Sequence, residues 1–446
     1  PRGAGTNTVL RGGIGLFHDF FPAITAENFL LNPPLYNQFV VGPGAMTPTV
    51  ANSVTSQAFG ANQAFVNGFA AGGTFPSITA SSPFFVPPSI FNATQNLKGP
   101  QYQQWNLELQ QGFGTKTSLS INYVGNHQIR GAFQNTGLNA FCESTCLAAL
   151  GATTSQFSNL QAAPTDPRFG TVTQVSSSNI SRYNGVTLSL KRRFSQLQFQ
   201  ANYTYSHALD LISNGGFLPF SGAFGATNLS PINQQDPFNV HRYNWGNADY
   251  DVRHNLSANY VWNTPTQKGW LGAIGNWTVA GTVFWRTGLP FTVTDSGATG
   301  VLNGFNNGTS YGNNVFANNV VGGSFVCTRN ALYTPCLNPV TQFTPATNGW
   351  GQQRRNQNWG PHYFDTDLSI MKNFHIPINE NSQFGVGLQF FNILNHPNFD
   401  QPDADVASTT FGTIINTVSV PTSVFGSGLG GDASPRIIQI KGTLTF

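Results

Sequence analysis

The sequence predicts an all-β fold, an antiparallel transmembrane β-barrel with long extracellular loops, and three observations carry that prediction. Apolar and polar residues alternate with a period of two through about ten segments, the pattern of strands whose faces meet different surroundings. Only 8% of the 446 residues are charged, although 39% are apolar and 13% aromatic with 38 Phe. A soluble domain carries roughly a quarter charged residues, so a water-facing surface of this size is poorly supplied. The connections between segments alternate strictly between short and long, the asymmetry of outer-membrane barrels with tight periplasmic turns and long external loops.

The first strand is expected over Thr8–His18, followed by a Pro/Gly/Asn/Ala-rich stretch to about residue 100. Gln101–Phe113 sets Trp105, Leu107 and Leu109 against Gln104, Asn106, Glu108 and Gln110. A tight turn at Gly112–Lys116 leads into Thr117–His127, where Leu119, Ile121 and Tyr123 oppose Ser118, Ser120 and Asn122, so the pair reads as a hairpin. Arg182–Phe194 and Gln196–Leu209 repeat the plan: Val186, Leu188 and Leu190, then Phe199, Ala201, Tyr203 and Tyr205, form the apolar stripes. Asp249–Asn263 and Asn276–Gly288 follow, with Leu256, Tyr260, Trp262, Trp277, Val279, Val283 and Trp285 on one parity. The last hairpin is His362–His375 with Gln383–Asn395, and Pro435–Phe446 closes the chain on an aromatic residue. Strands of roughly 10 to 15 residues cross a bilayer at a ~45° tilt with some overhang.

Trp105, Tyr123, Tyr203, Tyr205, Tyr260, Trp262, Trp277, Trp285 and Phe446 fall near strand ends and are expected to form interfacial girdles against outer-membrane lipid. A soluble β-sandwich would use the same residues as core, and the low charge weighs against it. On the opposite parity Glu108, Lys191, Arg193, Asp365, Asp367 and Lys441 are expected to face an aqueous lumen. The four cysteines fall in two close pairs, Cys142/Cys146 and Cys327/Cys336, in loop-like sequence, which suits disulfides in an oxidising compartment; their spacing is poor for a metal.

Signals for enzymatic chemistry are weak, and the chain is not expected to be an enzyme or to need a cofactor. Gly308-Thr-Ser-Tyr-Gly312 has the spacing of a nucleophile elbow without the strand and helix that would present the serine. Gly426–Gly431 likewise lacks the setting of a nucleotide loop. His207, Asp210, Asp236, His241, Asp249, Asp251 and His254 gather around one long connection without ligand spacing and read as polar loop and strand-end residues. A net charge of +3 gives no case for nucleic acid. Residue 1 is Pro and no signal peptide follows, so the sequence is expected to begin within a longer protein or to be a processed product.

Tyr183-Asn-Gly-Val-Thr-Leu-Ser-Leu-Lys-Arg-Arg-Phe194, Ala201–His207, Asp251-Val-Arg-His254, Arg286-Thr-Gly-Leu-Pro-Phe291, Phe390-Phe-Asn-Ile-Leu-Asn-His-Pro-Asn-Phe399 and Pro435–Gln439 together resemble the barrel of TonB-dependent receptors, in particular the Oar-like branch. The resemblance covers most of the chain, and Phe390–Phe399 is its most specific part. It implies an energy-coupled importer of the cell outer membrane, with about twenty-two strands around a plug. No plug, energy-coupling box or N-terminal regulatory-like domain is recognisable, so residues 1–446 are expected to be the C-terminal part of such a barrel. Implied partners are the TonB complex, through regions outside this sequence, the barrel-assembly machinery, through the closing strand, and a solute not legible here. A binding or adhesion barrel without transport is the other expectation.

Overall fold

The computed structural model describes residues 6–20, 89–152, 161–166, 169–213, 236–265, 275–305, 315–328, 331–337, 342–346, 350–376, 382–417 and 436–445, with a few positions between 26 and 72. Phe446, Ser310 and Gly426–Gly431 lie outside them.

Ten strands form the antiparallel path of one sheet in chain order: β1 (Thr6–His18), β2 (Gln101–Phe113), β3 (Thr117–Asn135), β4 (Val172–Arg193), β5 (Leu197–Asp210), β6 (His254–Asn263), β7 (Trp277–Arg286), β8 (Tyr363–His375), β9 (Gln383–Phe391) and β10 (Ile437–Thr445); two short strands join off this path, Ile90–Ala93 parallel to the start of β4 and Gly246–Asn247 antiparallel to the end of β5. Each strand pairs with the one before and after it, and among the described residues β1 and β10 do not pair with each other. Among the same residues no helix is long and apolar enough to cross a membrane.

The register sets apolar side chains side by side in rows across the sheet. Leu10 lies beside Leu109, Leu109 beside Ile121, Ile121 beside Leu188 and Leu188 beside Tyr203. Across β6 to β10, Trp262 meets Val279, Val279 meets Ile370, Ile370 meets Leu388 and Leu388 meets Ile440. Most of these side chains are exposed rather than packed, with Val279 and Ile370 half-buried; Leu10, Ile14 and Ile440 are 68%, 84% and 77% accessible. A continuous exposed apolar face is what hydrocarbon requires and what a soluble sheet would have to cover. Glycines let aromatic rings lie across neighbouring strands: the Trp105 indole occupies the space where Gly125 would carry a Cβ, and the Tyr260 ring does the same over Gly281.

Strand ends differ from the expected ones in four places. β3 and β4 run on to Asn135 and back to Val172, well past His127 and Arg182, through register shifts around Gly131 and a left-handed Arg130. Such irregularities re-aim a strand without ending it, and the extension carries Phe133 and Val175, both buried. β6 starts at His254 rather than Asp249, because Asp249 and Asp251 are drawn into side-chain bonds under a loop. β9 ends at Phe391, where Asn392 and Asn395 take positive φ and turn the chain. Part of the expected polar loop at 303–305 closes a helix, Ser296–Phe305, whose first turn is capped by Asp295 Oδ1 accepting the Ala298 N–H at 3.0 Å.

The buried apolar core lies in the long connections, not on the sheet. Ala140, Cys142, Cys146, Leu147 and Leu150, from the β3–β4 connection, pack with Ala298, Leu302, Val315, Ala346 and Trp350 from the β7–β8 connection, and Tyr243 from β5–β6 joins them. Phe291, Val293, Ala317, Leu337 and Phe343 form a second cluster with Ala404, Val406 and Phe411 of the β9–β10 connection. Four long connections therefore interlock into one cap at one end of the sheet.

Candidate functional site

The cap is fastened to the sheet by an ionic cluster centred on Arg355. Its guanidinium donates to Asp210 Oδ1 at 2.5 Å, to Ser213 Oγ at 3.0 Å and to Asp249 Oδ1 at 2.6 Å, with the arginine side chain fully buried. Asn356, in the left-handed region, continues the cluster by donating to Asp249 Oδ1 at 2.6 Å and to the Asn247 carbonyl at 2.8 Å. Burial works to lower the Arg355 pKa, but Asp249 and Asp210 outweigh it and hold the group above its ordinary value, so it stays charged.

A second cluster sits beside it. Asp251 Oδ1 accepts the Ala208 N–H at 2.7 Å, and its other oxygen takes the Arg253 Nε–H at 2.9 Å. Burial raises the Asp251 carboxyl, opposed by the Ala208 bond and by Arg253. Arg253 also reaches His207 Nε2 at 2.7 Å and Asn247 Oδ1 at 3.1 Å, and lies over the Trp359 ring. Asp210, Asp249, Asp251 and His207 are thus fastening groups at loops and strand ends, and Asp210 and Asp251 are buried; Asp236 is buried as well and accepts the Phe238 N–H at 2.9 Å. His241 is exposed in a short helix, Val240–Asn244, and His254 bonds Tyr203 Oη through Nδ1 at 2.6 Å.

No local pattern marks Arg355, because its partners lie more than a hundred residues away. The Phe390–Phe399 stretch was legible as a motif, and the structure shows its use. Asn392 accepts the His396 N–H at 2.9 Å to hold the turn, and Asn398 brackets Phe364, accepting its N–H at 2.8 Å and donating to its carbonyl at 2.9 Å. His362, beside His396, is held below the ordinary imidazole range by burial and then by that second ring.

Trp105, Tyr205 and Trp285 occupy the apolar face toward the cap end of their strands, Tyr123 and Tyr203 lie nearer the middle, and Tyr260, Trp262 and Trp277 lie toward the short-turn end. Trp105 Nε1 donates to Tyr123 Oη at 3.3 Å, and that hydroxyl donates to Asn184 Oδ1 at 2.8 Å, so polar tips are joined at one level. Lys372, which sequence reading passed over, shares this face: it stands opposite Trp277, with Nζ 5.1 Å from the indole and donating to the Gly275 carbonyl. Its stem covers apolar surface while the head reaches the turn, the behaviour of a snorkelling lysine.

On the other face Glu108 meets Arg11 at 3.5 Å, Asp367 lies opposite Thr282, and Lys441 lies opposite Gly387. Asp365 is buried there, near the cap. Lys191 and Arg193 line a cavity of about 670 Å³ at the short-turn end with Arg11, Lys116, Gln198 and Gln200, which is positively charged. Cys142 is joined to Cys146 and Cys327 to Cys336, with Cα atoms 5.3 and 5.4 Å apart, and all four sulfurs are packed inside the cap. Among the described residues there is no group of three or more His, Cys, Asp or Glu that could hold a metal.

A lipid-ready face, a polar face and a cap of interlocked long loops define an outer-membrane β-barrel protein. The family model for the outer membrane beta barrel domain matches residues 3–439, and the chain belongs to that family. No curated protein matches the sequence. Among solved structures, the outer membrane transporter YddB of Escherichia coli is 10% identical with a TM-score of 0.40, covering 79% of this chain and 33% of that one. The ferripyoverdine receptor of Pseudomonas aeruginosa is 11% identical at a TM-score of 0.35, over 78% of this chain and 27% of its own. The FrpB iron transporter of Neisseria meningitidis is 10% identical at 0.32, over 73% and 31%. The chain spans about a third or less of the length of these structures.

Proposed function

We propose that these residues are the C-terminal barrel portion of a TonB-dependent receptor that captures a solute at the cap and admits it to the periplasm. The observation that supports this most is the cap itself: four connections share buried cores and sit at the end of a polar sheet face, which gives capture a shaped surface rather than loose loops. The free edges of β1 and β10 support a larger barrel, because unpaired backbone groups do not persist in hydrocarbon. In this reading the long connections are extracellular, the plug and energy-coupling segment lie outside residues 1–446, and β10 engages the barrel-assembly machinery. The tyrosine and tryptophan levels seat the barrel in lipid, the polar-face charges line the lumen, both cysteine pairs are oxidised, and no reaction is catalysed. The solute is not assigned; a binding or adhesion barrel is the alternative.

The test is capture of the full-length protein, extracted from outer membranes in detergent, by the immobilised periplasmic domain of TonB. Capture above that of an unrelated barrel is expected. Failure of capture, with outer-membrane fractionation intact, would favour the barrel without transport.

A further inference from the structure

The lipid-facing side changes character at one level. Below it, Leu107, Tyr123, Val186 and Tyr205 stand side by side, and above them comes the row Trp105, Gly125, Asn184 and His207. One step higher on the same parity are Gln103, His127 and Arg182, with His127 and Arg182 directly opposite each other. Arg182 and Asn184 are exposed and His127 is half-buried. Among the described residues neither side chain is ion-paired to a carboxylate.

β4 indicates where this level lies in a bilayer. Its outward-facing residues run Arg182, Asn184, Val186, Leu188, Leu190, Arg192, so two arginines bracket the apolar stretch. Their separation is about 33 Å along the strand, or about 25 Å in height at a ~40° tilt, the height of the apolar band of outer-membrane barrels. Arg192 falls at the short-turn edge and lies over Phe194, and Arg182 falls at the edge nearest the cap.

We propose that Arg182 and His127 form a site on the outer wall of the barrel for a phosphate group of an external-leaflet lipid headgroup. Two donors opposite each other on paired strands can share one phosphate, and the Asn184 amide, one row below and bonded to Tyr123, is placed for the sugar or ester edge of the headgroup. The convex wall has no sides to exclude water, so a free anion there meets only exposed, screened charge. A lipid whose chains already lie on Val186, Leu188 and Tyr205 brings its phosphate to the pair and covers it. This inference rests on the long connections being extracellular, as in the proposed function.

The experiment uses the full-length protein extracted from outer membranes, with co-purified lipid quantified by mass spectrometry. The variants are Arg182→Gln/His127→Gln, Arg182→Lys/His127→Lys, and Lys191→Gln on the lumen face. The glutamine pair is expected to retain about fivefold less phosphorylated glycolipid, the scale for the loss of one cation, Arg182, at an anionic lipid surface. The lysine pair and Lys191→Gln should stay at the wild-type level, and inorganic phosphate at matched ionic strength should not displace the lipid. Equal retention in all variants, an equal loss in Lys191→Gln, or displacement by inorganic phosphate would overturn the site. Surface labelling of the Val321→Cys variant on intact cells reports orientation separately. Labelling with no lipid loss rejects this site alone, and absence of labelling rejects the orientation on which both proposals rest.

Discussion

Removing the Arg355 guanidinium leaves Asp210 and Asp249 side by side without a counter-charge, in a space mostly closed to water. Breaking a buried ion cluster by deleting one partner costs about 3–5 kcal/mol. Arg355→Met should therefore loosen the cap, seen as lost amide-exchange protection in residues 287–362, while the sheet keeps its protection. Arg355→Lys should recover only part of this, since an ammonium cannot span Asp210, Ser213 and Asp249 as the planar fork does. The neighbouring Arg354 is exposed and Arg355 is buried, and nothing in the local sequence separates the two. Their roles differ because of what lies across the fold. The aromatic positions on the sheet were legible, since their level follows from distance along a strand, whereas Lys372 was missed because its lipid-side parity was not expected to carry a charge.

At the scale of the strand, the face of each side chain is fixed by the pleat, which makes parity testable. Leu188 sits midway on the lipid-facing side of β4 and Ser189 faces the other way. Leu188→Arg should lower the stability of the full-length protein by about 2–4 kcal/mol, the cost of an arginine at the bilayer midplane, with Ser189→Arg near neutral. Urea titration of protein refolded in lipid vesicles reads both; equal costs would contradict the assignment of faces. Strand ends were less legible than strand faces. β3 and β4 overrun the apolar pattern; their outer parts carry the buried Phe133 and Val175, and a period-two hydrophobic signal ends where the lipid does. The end of β9 depended on two asparagines entering the left-handed region, Asn392, which accepts the His396 N–H, and Asn395, which accepts the Arg436 N–H, contacts that no pattern along the strand announces.

For the whole molecule, the open edges matter most. β1 and β10 each present one row of backbone donors and acceptors with no partner among the described residues. Residues 1–446 produced alone in detergent should self-associate or aggregate, because another copy is the nearest source of a strand. Light scattering coupled to size exclusion measures this, and a monodisperse monomer would show that the edges find each other. The full-length protein should instead run as one species with heat-modifiable migration.

What the sequence determined by itself was the sheet: ten strands, their order, their faces and the alternation of short and long connections. These follow from patterns read over a few residues, because side-chain alternation and turn chemistry are local properties of the backbone. Only the tertiary structure decided that the long connections hold the buried core, that Asp210, Asp249 and Asp251 are clamped by Arg355 and Arg253, and that Arg182 and His127 stand opposite each other on paired strands. Those contacts join segments far apart in the chain. Which of them form depends on how the loops close over one another, and no local pattern encodes it.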